Sequence, residues 1–127
     1  MGKGDKDFRS MAVCVDFDGV IAEFSDHIEE LGEPIRGGAE AISELKNLGY
    51  KIIIHTARPS NDEHVRKIEN YLNAHGIHFD EINKNSDCPW DSTKPLADLY
   101  IDDRGLRFEG CWNSALKQAI ELLNKIE

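Results

Sequence analysis

The sequence predicts an α/β fold with a mainly parallel sheet between two layers of helices. Two observations carry this. Strand-like apolar runs alternate with segments of helical periodicity along the chain, the order in which a parallel sheet is wound by crossover helices. The strand runs also lack a clean apolar–polar alternation, as expected for strands buried on both faces. The arrangement is Rossmann-like, a three-layer αβα domain, and 127 residues suffice for one such core.

The elements follow in order. Residues 11–17, MAVCVDF, read as a buried strand. From Gly38 to Leu48, apolar residues at 39, 41, 42, 45 and 48 keep helical spacing, and Gly49 supplies the stop. Residues 50–55, YKIIIH, form a β-branched run and a second strand. Ser60-Asn61-Asp62-Glu63 reads as a capping box, with Ser60 as cap and Glu63 reaching back. The helix it opens lines up Val65, Ile68, Tyr71 and Leu72 and stops at Gly76. Residues 77–82 read as a weaker third strand, 83–95 as a loop of turn formers, and 96–102 as a fourth strand. An amphipathic helix over 113–126 closes the chain through Leu116, Ala119, Ile120 and Leu123.

Composition narrows the class. A net charge of −9 repels polyanions, which argues against nucleic acid as a partner. No apolar run approaches the roughly 18 residues of a membrane span. Residues 1–10, MGKGDKDFRS, read as a flexible polar tail before a single domain over 11–127. This tail lacks the apolar stretch of a secretory signal, and Lys6 stands where a myristoylation signal needs Ser or Thr. Three cysteines without CxxC spacing point to a reducing, cytoplasmic compartment.

The chemistry lies where the strands end. The first strand runs into Asp16-Phe17-Asp18-Gly19, and period two sends both carboxylates to one side. The second ends in His55-Thr56-Ala57-Arg58, a hydroxyl, free amides and a guanidinium. The fourth ends in Asp102-Asp103-Arg104-Gly105. Any one of these reads equally well as a turn or a cap. Four acids on the carboxyl rim of one parallel sheet, where such folds bind ligands, call for a cation. The donors are read as oxygen only, with no His or Cys, which favours Mg²⁺ over Ca²⁺ or Zn²⁺ and with it phosphate chemistry. One carboxylate of the first pair would then attack phosphorus, and the other would serve as acid and base.

These residues resemble the haloacid dehalogenase superfamily of phosphohydrolases, over about Met11 to Leu123. Asp16-Phe17-Asp18-Gly19-Val20 looks like its first motif, Thr56 after IIIH like its second, and Asp102-Asp103 after LYI like its acidic pair. The motif lysine is taken as Lys94, with Lys84 as the alternative. The resemblance implies a Mg²⁺-dependent phosphatase. Asp16 would be the nucleophile that forms an aspartyl-phosphate, and Asp18 the acid/base. Thr56, Ala57 and the amides that follow would hold phosphoryl oxygens, with Lys94 offsetting charge. The Mg²⁺ set would be Asp16, the Asp18 carbonyl and Asp102 directly, with Asp103 binding through water or orienting Lys94. Arg58 and Arg104 are candidates for substrate contact, with Arg107 beside them; Trp90 and Trp112 are candidate rim aromatics. The second acid, Asp18, separates the chain from family dehalogenases and ATPases. Phosphotransferase and non-catalytic metal-dependent binding module are the alternative readings.

Neither usual insertion point holds a cap domain. Eighteen residues, Ile21–Gly38, suffice only for a short flap in which Phe24, His27 and Ile28 lean over the site. The resemblance implies an open site, covered in some capless relatives by a homo-oligomer.

Overall fold

The structure is a computed structural model that describes residues 11–88 and 94–126. The polar tail and Trp90 lie outside the described residues. The elements are β1 (Ala12–Asp16), α1 (Gly38–Asn47), β2 (Lys51–His55), α2 (Asp62–Ala74), β3 (Glu81–Ile82), β4 (Leu99–Ile101) and α3 (Trp112–Ile126). The four strands form one parallel sheet in the order β3-β2-β1-β4. This is the Rossmann-like α/β fold expected from the sequence, with no cap domain among the described residues.

The central strands β1 and β2 are buried along most of their length. Alternation divides their side chains between two unequal cores. Val13, Val15 and Phe17 with Ile52 and Ile54 meet Ile42 of α1 and Ile68 and Leu72 of α2. Among the described residues, the opposite face carries a smaller cluster of Ala12, Cys14 and Ile53, with Ala97 against them. Burial pushes the Cys14 thiol up to about 11, so it behaves as a small hydrophobe.

The outer strands are shorter than the sequence suggests. The expected strand over 77–82 pairs only at Glu81–Ile82, and that over 96–102 only at Leu99–Ile101. Side chains take over where the ladder stops. Asp80 donates its amide to the Ile52 carbonyl (2.8 Å), and its carboxylate accepts from the Ile52 amide (2.7 Å). Asp98 repeats the device on Ala12, at 2.8 and 2.7 Å. A carboxylate accepting from a backbone amide is worth about 1.5–3 kcal/mol, so each aspartate substitutes for a missing strand residue.

Helix α2 corrects the expected cap. Asn61, not Ser60, is its N-cap, and the Asn61 side chain accepts from the His64 amide at 3.0 Å. Ser60 instead accepts from Asn83 across the β2–β3 edge. Gly49 and Gly76 do end α1 and α2, both in the left-handed region.

Helix α3 departs most from expectation. Its apolar side does not close onto the core: Leu116 is 60% and Leu123 62% exposed, and Trp112 is 77% exposed. Ala115 is its one buried side chain among those described. Amphipathic periodicity identifies an apolar face but not what covers it, and the sheet face of Ala12, Cys14 and Ala97 offers little depth for large side chains. Phe108 and Trp112 pack on each other, with ring centroids 5.1 Å apart, and stay exposed.

A charge cluster joins β2 to the chain after β3. Lys51 Nζ lies 2.6 Å from Glu81 Oε2 and 3.1 Å from Asp87 Oδ2, with the Lys51 and Glu81 side chains only 12% exposed. Ser86 donates both its amide and its hydroxyl to Glu81. Desolvation alone would raise the Glu81 carboxyl; the hydrogen bonds from Lys51 and Ser86 outweigh it and hold it at about 2. For Lys51, desolvation is likewise outweighed by its carboxylate partners, which raise it. A carboxyl held lower when folded adds stability above its ordinary value of 4.5 and loses it as pH falls toward about 2. Denaturant unfolding is therefore expected to show falling stability across that window, and Glu81→Gln to flatten the fall. An equally steep fall in the variant would contradict this assignment.

Candidate active site

Register sets the first pair of side chains. Asp16 and His55 are in-register neighbours at the carboxyl ends of β1 and β2, and His55 Nδ1 lies 3.2 Å from Asp16 Oδ1. The expectation that no imidazole stands among the strand ends is thus corrected. The signal was present as the last residue of YKIIIH, but only the parallel pairing sets it against Asp16.

Beyond Asp16 the chain turns tightly. The Phe17 carbonyl accepts from the Ile21 and Ala22 amides at 3.0 Å, and Gly19 donates to the Ala22 carbonyl at 2.7 Å. Phe17 is buried by this turn, and Asp18 emerges beside Asp16 on the same cavity. Gly19 has φ +87°, and a Cβ there would lie 2.5 Å from Asp103 Oδ2. Only glycine satisfies both the backbone and the close approach of that acid.

Thr56 is buried at the end of β2, and its hydroxyl accepts from the Arg58 amide at 3.1 Å. Its own amide donates to Asn83 Oδ1 at 2.9 Å. Asn83, at φ +60°, also donates its amide to Ile54 O and its side-chain amide to Ser60. In the sequence Asn83 is one turn former among several in residues 83–95. Its φ and its reach to the Thr56 loop follow from tertiary pairing alone.

The acidic pair divides. Asp103 lines the cavity, whereas Asp102 turns aside: its Oδ1 accepts from the Arg104 and Gly105 amides at 3.0 and 2.6 Å. Lys94 Nζ lies 4.0 Å from Asp102 Oδ2 and 4.9 Å from the centre of the Tyr100 ring. Asp103 is the member of the pair that lines the cavity with Asp16 and Asp18 and approaches Gly19. Strand pairing stops at Ile101, so period two no longer governs these side chains. Lys94 is the candidate lysine that meets the acidic pair.

The cavity measures about 290 Å³. Asp16, Asp18 and Asp103 supply carboxylates, and Thr56 and Ala57 face it from the β2 loop. Arg104 and Phe24 complete its rim with His55. Arg58 does not line it; the Arg58 guanidinium grips Asp18 through Nε (3.0 Å) and Nη2 (2.9 Å). Arg107 is exposed.

Three carboxylates on one small cavity are a hard-oxygen donor set, which suits Mg²⁺. Among the described residues no three His, Cys, Asp or Glu groups close around one point. His55 sits against Asp16, and Arg58 holds Asp18. Mg²⁺ commonly retains several waters and takes one or two carboxylates, so a closed cage is not required for a fit.

The chain is similar to a solved structure of a conserved protein coded by a locus of Bacteroides thetaiotaomicron. The two are 28% identical with a TM-score of 0.64, over 89% of this chain and 92% of that chain. No protein-family model and no curated protein matches the chain. No helix among the described residues is long and apolar enough to cross a membrane.

Proposed function

We propose that the protein is a Mg²⁺-dependent phosphomonoester hydrolase of the haloacid dehalogenase type, working in the cytoplasm through an aspartyl-phosphate. One observation carries the reading: Asp16 and Asp18, two residues apart, share a single cavity with Thr56 and Asp103. Asp16 Oδ attacks phosphorus and the bond to the leaving oxygen breaks, and Asp18, which must first exchange one of its two bonds to Arg58 for a proton, gives that proton to the leaving oxygen. Water then attacks the phosphorus of the aspartyl-phosphate and passes a proton to Asp18, and the released phosphate restores Asp16. The Thr56 hydroxyl and the amides of the β2 loop hold the phosphoryl oxygens. Asp103, with Asp16 and the Asp18 carbonyl, would hold Mg²⁺, whose charge offsets that of the phosphoryl group. Asp102 orders the 102–105 turn and engages Lys94.

The test is phosphate release from a panel of nucleotides, sugar phosphates and phosphorylated oligonucleotides, with Mg²⁺ or EDTA. Release in Mg²⁺ alone is expected, strongest on small substrates. Phosphoryl transfer to added alcohols in preference to water would replace hydrolase with phosphotransferase. No turnover by folded, Mg²⁺-binding protein would leave the binding-module reading.

The partner of α3 in this reading is a second copy of the chain. At 100° per residue, Trp112, Leu116, Ile120 and Leu123 fall in one exposed stripe, and apolar patches of this kind mark contact surfaces. A self-complementary stripe suits a two-fold interface. Lys117 and Lys125 against Glu121 spare this helix the acidity of the rest of the chain, which would oppose association. Sedimentation is expected to show a dimer that Leu116→Asp with Leu123→Asp converts to folded monomer. A monomeric parent protein at tens of micromolar would contradict this.

A further inference from the structure

The sequence marks Arg58 as a candidate substrate contact. Its hydrogen bonds point elsewhere. A guanidinium has five N–H donors and no acceptor. Nε donates to Asp18 Oδ2 at 3.0 Å, and Nη2 to Asp18 Oδ1 at 2.9 Å and to the Ser25 carbonyl at 3.4 Å. Nη1 donates to the His27 and Ile28 carbonyls at 3.0 and 2.8 Å. All five donors are engaged within the chain, and the side chain is only 8% exposed. A phosphate oxygen could take one of them only by breaking a bond to Asp18 or to the backbone of residues 25–28.

That backbone belongs to the flap, residues 23–33. The flap base is closed by the Glu23 amide on the Glu33 carbonyl (2.8 Å) and the Ile35 amide on the Ile21 carbonyl (2.7 Å). Its far side is tied to α2 by Lys67 Nζ on the Glu29 carbonyl (2.6 Å) and the Tyr71 hydroxyl on the Gly32 carbonyl (2.7 Å). Arg58 supplies the ties on the site side. Phe24 rides on this segment and lines the cavity, although 64% of it is exposed.

We infer that Arg58 is a positioning residue: it fastens the flap to Asp18 and so holds Phe24 at the mouth of the cavity, which makes Phe24 the residue that selects small phosphomonoesters with a flat or apolar leaving group. The inference rests on the hydrolase reading for its substrate class, but its structural half stands apart from turnover. A cavity of about 290 Å³ lies at the low end for small-molecule sites, so a compact substrate fills it. Phe24 lines this cavity together with the carboxylates and offers such a substrate an aromatic surface.

The experiment compares the parent protein with Arg58→Gln, Arg58→Lys and Phe24→Ala. Amide exchange across residues 23–31 is expected to quicken at least tenfold in both Arg58 variants, with β1 and β2 protected as before. Neither replacement can make five bonds, and Arg58→Lys keeps the charge should Arg58→Gln fold poorly. On p-nitrophenyl phosphate the Arg58 variants are expected to lose kcat as well as gain KM. Phe24→Ala is expected to raise KM for p-nitrophenyl phosphate several-fold more than KM for a small alkyl phosphate. Unaltered flap exchange in both Arg58 variants, with only KM raised, would overturn the inference and restore Arg58 as a substrate ligand. Equal KM changes for aryl and alkyl substrates in Phe24→Ala would overturn the selectivity half. If the parent protein releases no phosphate, the hydrolase reading and the selectivity fail together, whereas the exchange result still decides the role of Arg58.

Discussion

Asp16→Asn is expected to lower phosphate release by about three orders of magnitude or more, the scale seen when a nucleophile acting as part of a unit is removed. The amide keeps the size of the carboxylate and a carbonyl oxygen, so the β1 end and its neighbour His55 retain their packing. It cannot form the mixed anhydride with phosphorus. The loss should therefore appear in kcat, with the melting midpoint within a few degrees of the parent. Asp18→Asn should behave differently. It leaves the nucleophile in place but removes the proton carrier, so substrates with good leaving groups should retain more activity than alkyl phosphates. A variant Asp16→Asn with parent-like turnover would place the chemistry on another residue.

Phe17→Ala carries the largest expected effect on stability. Phe17 is fully buried between the two site aspartates, and its ring meets Tyr71 edge-on at 5.1 Å and 78°. Truncating a buried phenylalanine costs about 3–5 kcal/mol through lost burial and the cavity left behind. Set against a total of about 5–15 kcal/mol for a domain, that is enough to unfold a marginal one. The melting midpoint is expected to fall by roughly 10 °C or more. The site should loosen with it, because the Phe17 carbonyl organises the turn that presents Asp18, and Tyr71 holds Gly32 of the flap. Phe17→Leu should restore most of the stability. A drop of only a degree or two in Phe17→Ala would show that this turn is not the core element described here.

The parts of the molecule that the sequence made legible are those governed by local period. The runs at 12–16 and 51–55 are long, β-branched and buried on both faces, so their placement follows from the residues themselves. Gly49 and Gly76 mark true helix ends, because the left-handed residue there is a local requirement. The convergence of Asp16, Asp18 and Thr56 was legible for the same reason, since each is the end of a strand whose direction was known. What was not legible depends on partners distant in sequence. Ser60 and Asn61 are both competent caps; Asn61 accepts from the His64 amide, while Ser60 is taken up by the Asn83 side chain. β3 and β4 are cut short because Asp80 and Asp98 bond to the central strands by side chain. Which of Asp102 and Asp103 lines the cavity depends on a turn that begins one residue after β4. Arg58 looked like a ligand because arginine beside a phosphate motif is suited to that task, while its five partners come from Asp18 and a flap about thirty residues earlier.

The central claim is that Asp16 carries the phosphoryl group during turnover. The direct measurement is rapid acid quench of the protein with a ³²P-labelled phosphomonoester in Mg²⁺, followed by peptide mapping. The account predicts transient label on the peptide that contains Asp16, absent with EDTA and absent in Asp16→Asn. Phosphate released with no protein-bound label at any quench time, or label on a different residue, would contradict it.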